Sequence, residues 1–191
     1  MSNFLVKGFE VVEDIISSEK LLLLKERIIY LDKTNSFSRK DGLVPNAKHI
    51  YGDIVFDNLL LDIKSVVEKI TNKKLIEQYS YLRLYSPGDV MYKHKDRNNC
   101  EYSVSLCIDS NLITLYPLMV EDKNKQINAI CLEPGSAVVY AGTELVHWRD
   151  MFLGKYLAQV FLHYVDADGP YKDQKYDGRK ALGKSFTTKC L

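Results

Sequence analysis

The sequence lacks the cysteine spacings that indicate a zinc site or a disulfide-stabilised secreted protein. Its 191 residues contain only four cysteines, Cys100, Cys107, Cys131 and Cys190, and no two of them form a CxxC pair. Structural zinc sites and disulfide frameworks need closely and regularly spaced cysteines. We therefore expect reduced thiols with structural roles and a reducing, cytoplasmic location.

The sequence also lacks a charge excess and a long apolar run. Lys and Arg number 26 against 25 Asp and Glu, and the net charge is +1. Such a balance does not indicate a nucleic-acid or membrane-surface partner. The early apolar residues 21–24 are followed at once by Lys25, Glu26 and Arg27, so they form neither a membrane span nor the core of a signal peptide.

The first third of the chain is predicted to be mainly helical. After a short strand within residues 1–11, an apolar stripe at helical spacing predicts a helix that Ser17 or Ser18 caps. A second apolar stripe predicts a helix over residues 58–71. Between the two helices, residues 33–48 are polar and are predicted to form a long loop, a kind of segment that often covers a site.

Strands are predicted for most of the remaining chain. Residues 76–85 alternate with period two, and short apolar runs follow at residues 102–108, 112–120, 127–132, 137–140, 145–148 and 156–165. Many short strands with little helix between them predict a sandwich or jelly roll. The expected domain is therefore single and α+β, with a helical part at 1–74, a β core at about 75–166 and a polar tail at 167–191 that wraps the surface or frays.

One short segment carries the most specific chemistry. His94 and Asp96 stand two residues apart, and on a strand such residues point to the same face. His147 follows 53 positions after His94. Two histidines and one carboxylate form the facial triad that holds non-haem Fe(II). The sequence therefore predicts a metal site, and the alternative is a surface His–Asp pair with a separate core histidine.

A dicarboxylic co-substrate would also need a cation inside the barrel for its far carboxylate. Lys155 is one candidate, at the start of the last predicted strand. If it points inward, Gln159 and His163 share its face. Arg149 is the competing candidate, because it lies two residues after His147 and therefore on the same face of that strand.

Taken together, these residues resemble the iron(II)/2-oxoglutarate-dependent oxygenases, specifically the prolyl 4-hydroxylase-like group and its bacterial and phage subgroup. The segments that carry the resemblance are 83–88 (RLYSPG), 94–97 (HKDR), 133–140 (EPGSAVVY), 147–149 (HWR) and 159–165 (QVFLHYV). The resemblance covers most of the chain, from the N-terminal strand and helix to about Asp166.

The resemblance implies a cupin-like jelly roll, the double-stranded β-helix, with the N-terminal helices packed on its larger sheet. It implies Fe(II) bound by the predicted triad, with 2-oxoglutarate and dioxygen as co-substrates. Lys155 would bind the distal carboxylate of 2-oxoglutarate, with Arg149 still in competition and Tyr85 as a hydrogen-bond partner. The implied reaction couples decarboxylation of 2-oxoglutarate to succinate with hydroxylation. Related halogenases lack the carboxylate ligand, so Asp96 favours hydroxylation.

The substrate class is left open between a peptidyl proline, a free amino acid and another small molecule. Arg97 would lie at the mouth of the site and contact substrate, or it is a solvated or ion-paired arginine. His163 is a hydrogen-bonded interior histidine or a pocket residue, and Tyr116 is a candidate for the pocket lining.

Two other functions compete with the oxygenase. A cupin-like metal-binding module, such as a sensor or an isomerase, would not need a cation inside the barrel. A jelly roll that binds a substrate without metal would not bring His94, Asp96 and His147 together.

Overall fold

The computed structural model describes residues 3–39, 41–111 and 116–183. The helices are α1 (Asn3–Lys7), α2 (Ser18–Lys33), α3 (Ile54–Asp62) and α4 (Lys64–Thr71), and short 3-10 turns lie at Asn98–Cys100 and Lys175–Gly178. The strands are β1 (Phe9–Val12), β2 (Lys48–Tyr51), β3 (Leu75–Tyr85), β4 (Met91–His94), β5 (Tyr102–Ser110), β6 (Leu118–Glu121), β7 (Ile127–Ile130), β8 (Ala137–Ala141), β9 (His147–Arg149) and β10 (Leu157–Asp166).

The strands form two antiparallel sheets that face each other. The larger sheet has the order β1-β8-β5-β10-β3-β2, and the smaller has the order β4-β9-β6-β7. From β3 onwards the chain passes repeatedly from one sheet to the other, which is the connectivity of a jelly roll. Helices α2 and α3 pack on the larger sheet, against β5 and against β3 and β10 respectively. The predicted fold, with helices on the larger sheet, is confirmed.

The helical part of the chain differs in detail from its prediction. The Ser17 side chain caps α2 by accepting the backbone N–H of Lys20, as expected. The single helix predicted over 58–71 is two helices, because Ile63 has φ −101° and ψ −1° and interrupts the helical path between α3 and α4. The strand predicted within 1–11 begins only at Phe9, since residues 3–7 form α1.

The predicted loop at 33–48 contains no helix or strand in its described residues between 34 and 47. Its centre is fixed by Asp41, which is buried and accepts hydrogen bonds from Arg83 on β3. Asp41 also accepts the backbone N–H groups of Leu43 and Val44, which turns the loop back on itself. The loop is thereby held against the edge of the barrel cavity.

The described part of the polar tail does not fray. Arg179 donates to Asp57 of α3 over 2.8 Å, and both side chains are fully buried. Asp177 is also buried and accepts a hydrogen bond of 2.7 Å from Arg97. These two ionic contacts fasten the tail to α3 and to the segment after β4, so of the two predicted alternatives, wrapping rather than fraying describes residues 167–183.

Cys100 and Cys107 are buried free thiols and Cys131 is an exposed one. Cys190 lies outside the described residues. Of the strand predicted at 112–120, residues 112–115 also lie outside them, and the described residues 116–120 include the start of β6. In the part of the chain that the structure describes, no helix has the length and apolar character needed to cross a membrane.

Candidate metal centre

The pairing of β4 with β9 brings the two predicted histidine ligands together. His94 stands directly opposite His147 in this antiparallel pair, and the two ring centroids are 4.2 Å apart. Asp96 was expected on the same strand as His94, but β4 ends at His94. A backbone hydrogen bond from Asp96 to the carbonyl of Gly142, 2.9 Å long, holds the aspartate in place instead.

The three side chains converge on one point. The distance from Asp96 Oδ1 is 3.6 Å to His94 Nε2 and 3.5 Å to His147 Nε2. These distances exceed those of good hydrogen bonds. The three ligand atoms lie within 4.8 Å of one another, which fits ligands that share an ion.

Backbone carbonyls fix which nitrogen of each imidazole faces the site. His94 Nδ1 lies 2.8 Å from the carbonyl of Tyr92, and His147 Nδ1 lies 3.0 Å from the carbonyl of Leu145. A carbonyl oxygen only accepts, so each Nδ1 carries a hydrogen and each Nε2 is the ring nitrogen directed towards Asp96. Imidazoles oriented in this way present Nε2 to a metal, which binds the neutral form of the ring.

The Asp96 carboxylate is ionised in this environment. Burial alone would raise its pKa, but the facing His147 and His94 rings hold the pKa well below its usual range. Its second oxygen, Oδ2, accepts a hydrogen bond of 2.8 Å from the hydroxyl of Ser103 on β5. The donor set therefore consists of two imidazole nitrogens and one carboxylate oxygen, a set that suits a divalent cation.

A cavity of about 390 Å³ opens beside the three side chains. Besides the triad, its lining comes from the loop around Asp41, from strands β3, β4, β8 and β10, and from the segment on either side of Asp96. These residues are Asp41, Gly42, Leu43, Tyr79, Tyr81, Arg83, Met91, Lys95, Arg97, Cys100, Tyr140, Phe161 and His163. Most of this lining is apolar or aromatic, as is typical of pockets for small ligands.

Arg97 and His163 both line this cavity, and each also meets its other predicted alternative, because Arg97 is ion-paired and His163 is a hydrogen-bonded interior histidine. The Arg97 guanidinium lies over the ring of Tyr79, 4.7 Å from its centroid, and pairs with Asp177. His163 is buried, and its Nδ1 lies 2.9 Å from the hydroxyl of Ser103. Burial lowers the pKa of His163 to about 4, so it is neutral at physiological pH.

The two candidate cations for the co-substrate lie in different places. Arg149 is 1 % exposed and faces the interior of the barrel, where it lines a second cavity of about 120 Å³ with Gln159 and Leu157. Lys155 is exposed in the bend before β10. The strand starts only at Leu157, so Lys155 precedes the residues whose side chains alternate between the inside and the outside of the barrel. The condition under which Lys155 would share an inner face with Gln159 is therefore not met.

Arg149 is surrounded by tyrosines. It donates a hydrogen bond of 2.6 Å to the carbonyl of Tyr116, and its guanidinium carbon lies 5.7 Å from the ring centroid of Tyr85 and 5.1 Å from that of Tyr116. Its Nε–H is buried and has no hydrogen-bond partner within the described residues. Tyr116, predicted to line the substrate pocket, lines the smaller cavity with Arg149 instead.

Comparison with known proteins gives matches at the level of structure only. No family model matches the sequence, and no curated protein matches it. A prolyl-4-hydroxylase from Pseudomonas putida aligns with a TM-score of 0.70 at 12% identity, over 86% of this chain and 95% of the other. A prolyl hydroxylase from Trichoplax adhaerens, in complex with a peptide fragment, gives 0.73 at 13% identity, over 86% of each chain.

A third similar structure is HygX from Streptomyces hygroscopicus with nickel and 2-oxoglutarate bound, with a TM-score of 0.69 at 13% identity, over 86% of this chain and 85% of that one. This protein has the fold of the iron(II)/2-oxoglutarate-dependent oxygenases. The resemblance in the sequence is thus confirmed for the fold.

Sequence reasoning missed three side chains of this oxygenase fold that touch the candidate site: Asp41, Ser103 and Asp177. Each reaches the site from a different part of the chain, and no local motif marks any of them. Arg83 carried a readable signal, because it alternates with Tyr81 and Tyr85 on the inward face of β3.

Proposed function

We propose that the chain is an Fe(II)/2-oxoglutarate-dependent dioxygenase that hydroxylates an unactivated C–H bond. The observation that carries this proposal is the convergence of His94, Asp96 and His147, with both imidazole tautomers fixed, beside a cavity of substrate size. Three ligands from one side leave the opposite positions of an octahedral ion open for co-substrates.

The bound metal would supply the oxidative chemistry: one atom of dioxygen enters succinate as 2-oxoglutarate loses carbon dioxide, and the other enters the substrate C–H bond. The chain's own residues bind and orient the reactants. The aromatic side chains of the cavity, such as Tyr79 and Phe161, limit the access of water to the site.

Arg149 is our candidate for the residue that binds the distal carboxylate of 2-oxoglutarate. Within the described residues no carboxylate lies within 4.0 Å of its guanidinium, so its charge has no internal counter-ion, and a buried cation without one is costly. A guanidinium matches a carboxylate with parallel hydrogen bonds. Tyr85, whose ring Arg149 contacts, is the candidate for a second hydrogen bond to the same group. The Tyr85 hydroxyl accepts from Arg83 Nη1 and donates to Met91 Sδ.

The candidate substrate is a peptidyl proline or a small amino-acid-like molecule. The cavity of about 390 Å³ suits one residue of a peptide or a small molecule. The similar structures include both kinds of complex, since one is described with a peptide fragment and another with hygromycin B. Arg97, half exposed at the cavity, is the candidate for contact with a polar group of the substrate.

The alternative function is a metal-binding module of the same fold without hydroxylase chemistry, such as a sensor or an isomerase. One similar structure is described as a non-heme alpha ketoglutarate dependent epimerase, with a TM-score of 0.73 at 9% identity. An epimerase of that kind would bind the same co-substrate, whereas a sensor or an isomerase would not need a charged group such as Arg149 in the interior.

The test is anaerobic titration of the protein with Fe(II) and 2-oxoglutarate, followed by visible absorption spectroscopy. Chelation of the metal by the co-substrate gives a charge-transfer band, which we expect in the wild type and not in His94→Ala. His49→Ala is the matched control, because His49 on β2 lies outside the triad and stacks on Tyr81. Metal binding without the band would leave only the metal-binding module, and no metal binding would refute the site.

A further inference from the structure

A polar chain behind the triad connects Asp96 to His163. The Ser103 hydroxyl oxygen lies 2.8 Å from Asp96 Oδ2 and 2.9 Å from His163 Nδ1. Ser103 is fully buried on β5, on the inner face of the larger sheet. Ser103 therefore connects the larger sheet to the carboxylate of the candidate metal ligand that follows β4.

The protons of this chain can be assigned. A hydroxyl has one hydrogen, and Ser103 donates it to Asp96 Oδ2. His163 Nδ1 then carries a hydrogen and donates it to the Ser103 oxygen. The Ser103 hydrogen then has two acceptors within reach, Asp96 Oδ2 at 2.8 Å and the carbonyl of Cys100 at 3.3 Å, and Asp96 Oδ2 is the closer.

The backbone of Gly142 lies close to the Asp96 carboxylate and to the Ser103 hydroxyl. At Gly142, an added Cβ would lie 2.4 Å from Asp96 Oδ2 and 2.7 Å from the Ser103 oxygen. The Gly142 carbonyl also accepts the N–H of Asp96. The glycine thus permits the close approach that the hydrogen bond between Ser103 and Asp96 needs.

We propose that Ser103 is a positioning residue that keeps Asp96 a monodentate ligand, with Oδ1 on the metal and Oδ2 held away from it. This inference rests on the proposed metal site. Without the hydroxyl, the carboxylate can turn about its Cβ–Cγ bond and offer both oxygens to the ion. The second oxygen would then occupy a position that the co-substrate or dioxygen needs.

The experiment is titration of the metal-free protein with Co(II), whose visible bands report both occupancy and coordination number. The variants are Ser103→Ala and Ser105→Ala. Ser105 is the matched control, because it is equally buried on the same face of β5 and accepts a hydrogen bond from Gln159 rather than touching Asp96. Thermal unfolding without metal is measured for each protein.

We expect Ser103→Ala to weaken Co(II) binding by about 10- to 100-fold, the usual effect of losing a partner that orients a metal ligand. Its Co(II) spectrum should also differ in intensity and position from that of the wild type. Ser105→Ala should match the wild type in both. A Ser103→Ala protein with wild-type affinity and spectrum would overturn the inference, as would equal losses in the two variants. Failure of the wild type to bind Co(II) would instead refute the proposed site itself.

Discussion

Two buried arginines flank the ring of Tyr85, one from each sheet, and their surroundings are opposite. The guanidinium carbons of Arg83 on β3 and Arg149 on β9 both lie 5.7 Å from the Tyr85 ring centroid. Arg83 has a complete partner, because its Nε and Nη2 donate to the two oxygens of Asp41 over 2.6 and 3.2 Å. Arg149 donates to one backbone carbonyl and has no carboxylate within 4.0 Å in the described residues.

The difference assigns separate roles to two residues of the same type. The charge of Arg83 is neutralised inside the protein, so its contribution is structural: it fixes the loop around Asp41 to the barrel. The charge of Arg149 has no such partner, and a protein retains a buried unpaired cation at a cost in stability. An external anion that binds Arg149 would compensate this cost, which is the reason for placing the distal carboxylate of 2-oxoglutarate there.

The largest expected effect is on stability. Replacing Arg83 in Arg83→Met leaves Asp41 buried without its cation, and breaking a buried ion pair in this way costs about 3–5 kcal/mol of unfolding free energy. Urea denaturation of the metal-free protein measures it. Arg149→Met is the counterpart, and because it removes an unpaired charge we expect its stability to equal or exceed that of the wild type. A destabilised Arg149→Met protein would remove the contrast between the two arginines.

The second effect is on co-substrate affinity. Arg149→Met should weaken 2-oxoglutarate binding by about 2 kcal/mol or more, or about 30-fold, because a buried carboxylate would lose its charged partner. Anaerobic titration of the Fe(II) protein, followed by the charge-transfer band, gives the dissociation constant. Fe(II) affinity without co-substrate should not change. If Arg149→Met binds 2-oxoglutarate as the wild type does, the carboxylate lies elsewhere.

The ion pair between Asp41 and Arg83 also predicts how the stability of the protein changes at acidic pH. Burial alone would raise the pKa of Asp41, but the Arg83 guanidinium and the backbone N–H donors lower it below its ordinary value of 3.8. A carboxylate with a lowered folded-state pKa stabilises the protein above its unfolded-state pKa, and this stabilisation is lost as the pH falls through the folded-state value. The stability difference between wild type and Asp41→Asn should therefore be constant near neutrality and shrink below about pH 4. A difference that stays constant there would contradict the assignment.

A smaller effect is expected at the tyrosine between the two arginines. Tyr85→Phe removes one hydroxyl from the proposed carboxylate site, which should weaken 2-oxoglutarate binding by about 0.5–1.5 kcal/mol. Tyr81→Phe is the control, since the Tyr81 hydroxyl donates to Asp41 on the Arg83 side of the site. Equal losses of affinity in the two variants would mean that the effect comes from a change in strand β3 and not from a lost hydrogen bond to the carboxylate of 2-oxoglutarate.

The sequence marked the three side chains that converge because most of their information is local. The pattern His94-Lys95-Asp96 specifies two candidate ligands within three residues, and His147 is the first residue of β9, the strand that pairs with β4. The turn signals and period-two runs gave the strands of the jelly roll for a similar reason. Asp41 and Asp177 could not be predicted, because each reaches the site from a loop or tail whose path depends on a single ionic contact with a distant arginine.

The choice between Lys155 and Arg149 shows where spacing fails as a guide. Both residues follow His147 within a few positions. The direction of each side chain depends on where its strand starts or ends, and a sequence pattern locates the end of a strand only to within a few residues. A shift of one residue reverses the face. In the structure β10 starts two residues after Lys155, whereas Arg149 is the last residue of β9.

The smallest expected effect follows from that difference. Lys155→Ala should leave 2-oxoglutarate affinity unchanged, because its ammonium group lies in solvent outside the barrel and exposed charges contribute little. The same titration that measures Arg149→Met measures it, so the two variants form one experiment. A loss in Lys155→Ala with none in Arg149→Met would mean that the bend before β10 folds inward when co-substrate binds. The unpaired charge of Arg149 would then need another explanation.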